Sequence, residues 1–464
     1  MAILLYILVF ITGVGALSLA APALKAWEKT GFALPIGMGI ASVYMFAIDL
    51  VGIPINGMGV NLFGLLLLSA ALFGIYFRNP DNRRIDPRTW IAPLRTPPRH
   101  IAFYLVVVAG IYVIWMISSR AMFWPILNYD SVTGYDLLGQ ITFAEGTFNN
   151  SVFDKVNSLE NNRTGYAPLY PLNLTLAYVG GIENGKITSV FFYVSLALAF
   201  FALLRRYTTP LASALFTLLL ITIPEYAFFS TLSSNNPPLA YYAGLGLICI
   251  YIWYDKGDRS FMYLGCLLLA MGMWTRNEAI FFALPAIGLA VMKGWRDKRF
   301  RPALTIAMWS FIPLIVWQLV LKLWLDAQVD IQVRTALFLD WERLRVMKNQ
   351  ITEVTFSTAY YGVVNHLFCA IVLLSALIWA INRKHTHWKL LAAIGVGWLL
   401  YLILFYQMDV DFTKVGWLLY SYKRGLFTYL PPMVFFMAVT WISRSFFEWV
   451  EVRQSHQGTS SLAT

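Results

Sequence analysis

Long stretches with at most one charged side chain constrain this chain more than any other feature. Taken as uninterrupted apolar blocks they cover residues 2 to 24, 33 to 51, 57 to 77, 101 to 119, 187 to 204, 208 to 223, 239 to 254, 261 to 275, 279 to 292, 303 to 325, 362 to 381, 390 to 406 and 426 to 443. A bilayer core takes roughly 20 residues of helix to cross, and most of these blocks have that length. Only 13% of the 464 residues are charged, against about 25% in a soluble domain, and 59% are hydrophobic. A soluble enzyme is excluded. The expectation is an all-α polytopic membrane protein of about thirteen transmembrane helices. Blocks 208 to 223, 261 to 275 and 279 to 292 are short for a span, so they are tilted, extended into flanking residues or partly re-entrant. The first block lacks the basic flank of a signal peptide and is read as a helix.

The net charge of +11 fits loops retained in the cytoplasm better than a nucleic-acid surface, and no nucleic-acid partner is expected. Loops 25 to 32, 78 to 100, 205 to 207, 255 to 260, 293 to 302, 382 to 389 and the tail from Arg444 hold 22 of the 35 Lys and Arg residues. The alternate set holds 12 although it is longer in total, and Lys322 lies inside a span. The count places the N-terminus outside and the tail inside, with the alternation unbroken through all thirteen helices. The division that follows is a three-helix segment (1 to 77), a basic Pro- and Arg-rich cytoplasmic linker (78 to 100), a membrane core (101 to 443) and a cytoplasmic tail (444 to 464). Cys249, Cys266 and Cys369 fall inside apolar blocks without metal-like spacing and read as packing residues.

Two outward segments, 120 to 186 and 326 to 361, are too long for plain connections. In the first, Leu137, Leu138, Ile141, Ala144 and Phe148 recur at helical spacing opposite Asp136, Gln140 and Glu145. In the second, Leu337, Trp341, Leu344 and Ile351 do the same. Each predicts an amphipathic juxtamembrane helix lying at the surface among lipids. Sequons at Asn149, Asn162 and Asn173 arise by chance in such loops and carry little weight.

Ionisable groups are costly in the hydrocarbon, so clusters at its edge are candidate sites. Four fall on the outer side. Asn128, Tyr129, Asp130 and Ser131, with Tyr135 and Asp136, follow the fourth block; a carboxylate there suits metal binding or proton abstraction from a hydroxyl, and equally an ordinary helix cap. Pro224, Glu225 and Tyr226 open a polar turn that runs to Asn235, Asn236 and Pro237. Trp274, Thr275, Arg276, Asn277 and Glu278 form a charged hairpin, in which a local Arg to Glu pair is one reading. Tyr422, Lys423 and Arg424 precede the last block. Arg276, Lys423 and Arg424 suit a phosphate. Transport pathways place such groups near the midplane, whereas only Asp49 and Lys322 approach it here, each close to a helix end. No nucleotide-cradling glycine-rich loop is present, so an activated substrate is expected to arrive on a lipid, and a phosphate-linked polyprenol fits.

Four stretches, PILNYDSVTGYDLLGQITFAEG (125 to 146), GYAPLYPLNLTLAY (165 to 178), WTRNEAIFF (274 to 282) and KRGLFTYLPP (423 to 432), resemble the GT-C class of integral-membrane glycosyltransferases. The likeness is to bacterial members related to the protein O-mannosyltransferases and aminoarabinose transferases. It covers about residues 101 to 443 and leaves residues 1 to 77 unexplained. It implies a GT-C-type fold in a bacterial cytoplasmic (inner) membrane, with an outward-facing site that moves a sugar from a polyprenyl-phosphate donor to a glycan, glycolipid or protein acceptor. Asp130 matches the catalytic aspartate, implied to act as general base in an inverting transfer. Arg276 and Glu278 are implied beside the donor phosphate, Arg424 on the leaving phosphate, and Tyr166 and Tyr170 along the sugar or acceptor site, with Asp136, Glu225, Asn236 and Asn277 in support. Many relatives carry an aspartate where this chain has Asn236, in NNPPLAYY. That departure leaves open a divalent cation such as Mg or Mn, with Asp130, Glu225 or Glu278 as its ligands. The alternative functions are a lipid-linked glycan flippase or other transporter, and an assembly scaffold.

Overall fold

The structure, a computed structural model, describes residues 1–78, 101–153, 165–325, 340–383, 387–408 and 417–460. The linker from residue 79 to 100, Leu337, Asn162 and the last four residues of the tail lie outside the described residues. Every regular element among those described is helical. Nine helices among them are long and apolar enough to cross a membrane: α1 (Ala2–Ala20), α2 (Ala26–Leu50), α3 (Met58–Phe77), α4 (Ile101–Phe123), α5 (Ile187–Leu204), α6 (Asn277–Asp297), α7 (Arg301–Leu323), α8 (Val364–Asn382) and α9 (Trp388–Gln407). A tenth is counted if Ser421–Val439 and Trp441–Glu451, bent by 58° where they meet, are one span. This is a multi-pass membrane architecture. Of the remaining apolar blocks, 208 to 223 forms Pro210–Ile221 and 261 to 275 forms Arg259–Met273. Block 239 to 254 becomes Leu245–Lys256, entered through a π-turn at Ala240–Gly244. The short block 279 to 292 is lengthened at both ends into α6.

Both long loops contain a helix, Asp136–Glu145 and Trp341–Thr355. Asp340 caps the second, accepting from the backbone N–H groups of Glu342 (2.9 Å) and Arg343 (3.1 Å). Its buried line runs through Met347 and Val354, while Trp341 is exposed. The first helix departs from the expected polar face: Asp136 is buried, because the helix packs along Leu169–Val179, and that contact covers its N-terminal end.

Leu245 to Tyr254 is buried on every side and forms the axis of the bundle. α4, by contrast, presents most of its apolar surface outward, as a lipid-facing helix does. α2 enters the core through its one proline and its glycines. Pro35 has no N–H to offer the Gly31 carbonyl one turn back, and that carbonyl accepts the Tyr241 hydroxyl at 2.7 Å instead. The Pro35 carbonyl accepts from Tyr242 (2.6 Å) and the Met38 carbonyl from Asn173 (3.3 Å). At the far end of α2, Asp49 accepts the Phe148 N–H at 2.7 Å, while Phe46 packs edge-on against Phe148, Trp274 and Trp324. α2 therefore buttresses the loop that follows α4.

Candidate functional site

Asp130 sits at the N-terminal edge of a π-turn, Ser131–Tyr135, a local widening of the helix that often marks functional positions. Its N–H donates to Asn128 Oδ1 (3.1 Å), and the Ser131 hydroxyl donates to the Ser233 carbonyl (3.0 Å), pinning this loop to the turn that carries Asn235 and Asn236. Asp136 is the second pin. Its carboxylate accepts from Tyr178 (2.7 Å), Gln140 (2.7 Å) and Ser233 (3.1 Å). Burial pushes its pKa above the usual carboxylate range, against the opposing pull of those hydrogen bonds and of the Lys186 charge. Tyr170 is fully buried behind this loop, sharing a hydrogen bond with Ser189 (2.7 Å) and accepting from the Ser234 N–H (2.9 Å).

The helix Trp417–Val439 brings the two late basic residues in from another side. Neighbours on a helix point about 100° apart, and here they reach different acids. Arg424 Nη1 lies 2.5 Å from Asp130 Oδ2, and Lys423 Nζ lies 2.8 Å from Glu225 Oε1. Glu225 opens the short helix Pro224–Phe229; burial raises its pKa, and Lys423 and then Arg424 pull it back. Lys423 also stands over the Tyr360 ring at 4.5 Å, and its carbonyl accepts the Tyr361 hydroxyl at 2.7 Å. Gly425 is required by its neighbour, since a Cβ there would fall on the Tyr401 hydroxyl and ring.

Arg276 is the third cation. It pairs with Glu278, donates to Asn236 Oδ1 (2.7 Å) and Asn235 Oδ1 (3.3 Å), and stacks on the Tyr166 ring at 4.8 Å. Asn236, at the position where the resemblance leads one to expect an aspartate, thus gives Arg276 a neutral acceptor. Arg276, Glu278 and Arg424 converge on one small cavity with Tyr401, Tyr429 and Phe282. Its volume is about 10 Å³, room for about one water molecule. Asn277 adjoins it in sequence and keeps a buried Oδ1 without a hydrogen-bond partner.

The structure thus gathers Asp130, Glu225, Asn236, Arg276, Glu278, Lys423, Arg424 and Tyr166 around one charged centre, and sets Asp136 and Tyr170 behind it as braces. The three carboxylates considered as metal ligands each face a basic side chain, and among the described residues no three His, Cys, Asp or Glu side chains gather as a metal site. Sequence reasoning missed Tyr361, Tyr401 and Tyr429. The last two lie inside apolar blocks, where a tyrosine carries no spacing signal that separates it from packing. Compared with protein-family models, curated proteins and solved structures, the chain matches none.

Proposed function

We propose that this chain is a membrane glycosyltransferase that moves a sugar from a polyprenyl-phosphate donor to an envelope glycan, glycolipid or protein, at the outer face of a bacterial cytoplasmic membrane. The reading takes the fold as GT-C type, with the three shorter helices and the bent pair completing about thirteen spans. One observation carries it: Asp130 and Arg424 are held 2.5 Å apart, and Arg424 shares with Arg276 and Glu278 a cavity walled by aromatic side chains. A base and a set of phosphate-binding cations in one partly desolvated place are what transfer from a lipid phosphate needs.

In this chemistry the acceptor hydroxyl oxygen forms a bond to the anomeric carbon while the bond from that carbon to the phosphate oxygen breaks. The electron pair leaves with the phosphate, and configuration inverts. Asp130 takes the hydroxyl proton. Arg424, with Arg276 and Lys423, neutralises the phosphate as its charge develops. The cavity has room for about one water, so a sugar phosphate enters only as Arg424 exchanges Asp130 for the phosphate, which releases the base. A divalent ion has no step in this scheme, and turnover is expected to persist in excess chelator.

The test compares wild type, a deletion and Asp130→Asn at matched expression, by mass spectrometry of surface glycans, glycolipids and glycoproteins. Asp130→Asn is expected to bind donor yet lose roughly 100- to 10,000-fold in turnover, the usual contribution of a general base, and the same decoration is expected to vanish in both mutants. Full restoration of that decoration by Asp130→Asn would falsify the catalytic assignment and shift the weight to transport or scaffolding.

A further inference from the structure

Arg259–Met273 ends just short of Arg276 and begins, about 22 Å of helix away, at a second and much wider cavity. α6 runs the other way, from the charged cluster to the same place. This cavity has a volume of about 1100 Å³, and its wall carries Arg259, Lys293, Lys298, Arg299 and Arg301 against one carboxylate, Asp297. Asp297 is itself paired with Arg296 at 3.1 Å. Lys293 turns inward and donates to the carbonyls of Tyr254 (2.8 Å) and Trp253 (3.2 Å), closing the end of Leu245–Lys256. The other four basic residues are exposed. Lys298 has a left-handed backbone, φ +53°, and the sharp turn it makes between α6 and α7 carries Arg299 and Arg301 to the cavity wall.

A loop that only fixes topology needs Lys and Arg in its sequence; it needs neither a concave wall nor an apolar path leading from it. Here such a path exists. Phe300, Leu304, Met308 and Ile312 are all exposed and recur every fourth residue, so they form one stripe down α7 away from the cavity. Phe300 lies at the cavity itself. A soluble anion would use the basic wall and leave the stripe bare, whereas a lipid uses both.

We propose that this cavity binds the phosphate head group of an anionic phospholipid, with an acyl chain lying along the Phe300, Leu304, Met308 and Ile312 stripe. Basic pockets between membrane helices are suited to such head groups, and four exposed cations with the flexible stems of Arg and Lys close readily around a phosphodiester. The assignment stands apart from the transferase reading and survives its failure.

Full-length protein purified in detergent with defined lipids tests it by native mass spectrometry. Phosphatidylglycerol is expected to remain bound under activation that strips phosphatidylcholine. The combined change Arg259→Gln, Arg299→Gln and Arg301→Gln is expected to lower phosphatidylglycerol retention at least fivefold, and Arg299→Gln alone about twofold, while Arg299→Lys retains it. The single variants decide the matter if the triple variant does not purify as a monodisperse species. Equal retention of the two lipids, or unchanged retention in Arg299→Gln, overturns the proposal. Displacement of the lipid by millimolar inorganic phosphate also overturns it, because the occupant is then a soluble anion.

Discussion

Burial raises the carboxyl pKa of Asp136, and Tyr178, Ser233 and Gln140 reduce that rise without cancelling it. The folded chain therefore holds this proton to higher pH than the unfolded chain, whose Asp titrates near about 4. Between those two values the native state binds more protons, so stability falls as pH rises through the window and is fullest below it. Melting temperature followed from about pH 4 upward is expected to decline, and Asp136→Asn is expected to flatten the decline. Some slope persists, because Glu225 is shifted in the same direction. A slope unchanged by Asp136→Asn would rule out this account. At this scale the site was half legible. Charged residues stand out against an apolar background, so Asp130, Glu225, Arg276, Glu278, Lys423 and Arg424 could be picked from the sequence. Their partners could not, apart from the local Arg276 and Glu278 pair, because the pairing of Asp130 with Arg424 depends on tertiary structure alone. Asp136, read as a polar-face residue, is instead a buried brace, since a helix pattern does not say which neighbour covers its first turn.

The late helix Trp417–Val439 depends on close approach at Gly425, where any Cβ would collide with Tyr401. Gly425→Ala is expected to destabilise the purified protein by about 1 to 3 kcal/mol, the usual cost of overpacking. It should also weaken the proposed activity, because the displaced helix carries Lys423 and Arg424. Tyr401→Leu in the same chain is expected to recover part of the loss, so thermal unfolding of the two single variants and the double variant should show non-additive changes. Strictly additive changes would separate the two residues. Most helices were legible because an uncharged run of bilayer length has few alternatives. The exceptions have physical causes: Pro210 and Pro224 start short helices, and the π-turn at Ala240–Gly244 breaks one long apolar run. Both surface helices were visible as stripes, yet the buried side of Trp341–Thr355 runs through Met347 and Val354 rather than Trp341.

Across the whole molecule, the first three helices had no role that the sequence could supply, and the Pro-rich linker set them apart as a segment of their own. α2 instead accepts hydrogen bonds from Tyr241, Tyr242 and Asn173 and from the Phe148 N–H. α1 lies against α2 where Gly13 and Gly37 leave no room for a Cβ between the backbones. A chain beginning at residue 101 is expected to give no monodisperse protein, because those buried donors lose their acceptors, and co-expression of residues 1 to 100 is expected to restore it. Size-exclusion profiles of the two preparations decide this, and a well-behaved product from the shortened chain alone would disprove it.

The Asp130 and Arg424 pair joins positions 294 residues apart. A ribosome feeding this chain into a membrane releases Asp130 early and Arg424 almost last. Throughout insertion the nascent polypeptide lacks one half of its centre, and a product cut short anywhere before residue 424 never acquires it. Completion of this pair thus waits on one event, the docking of the final apolar helix.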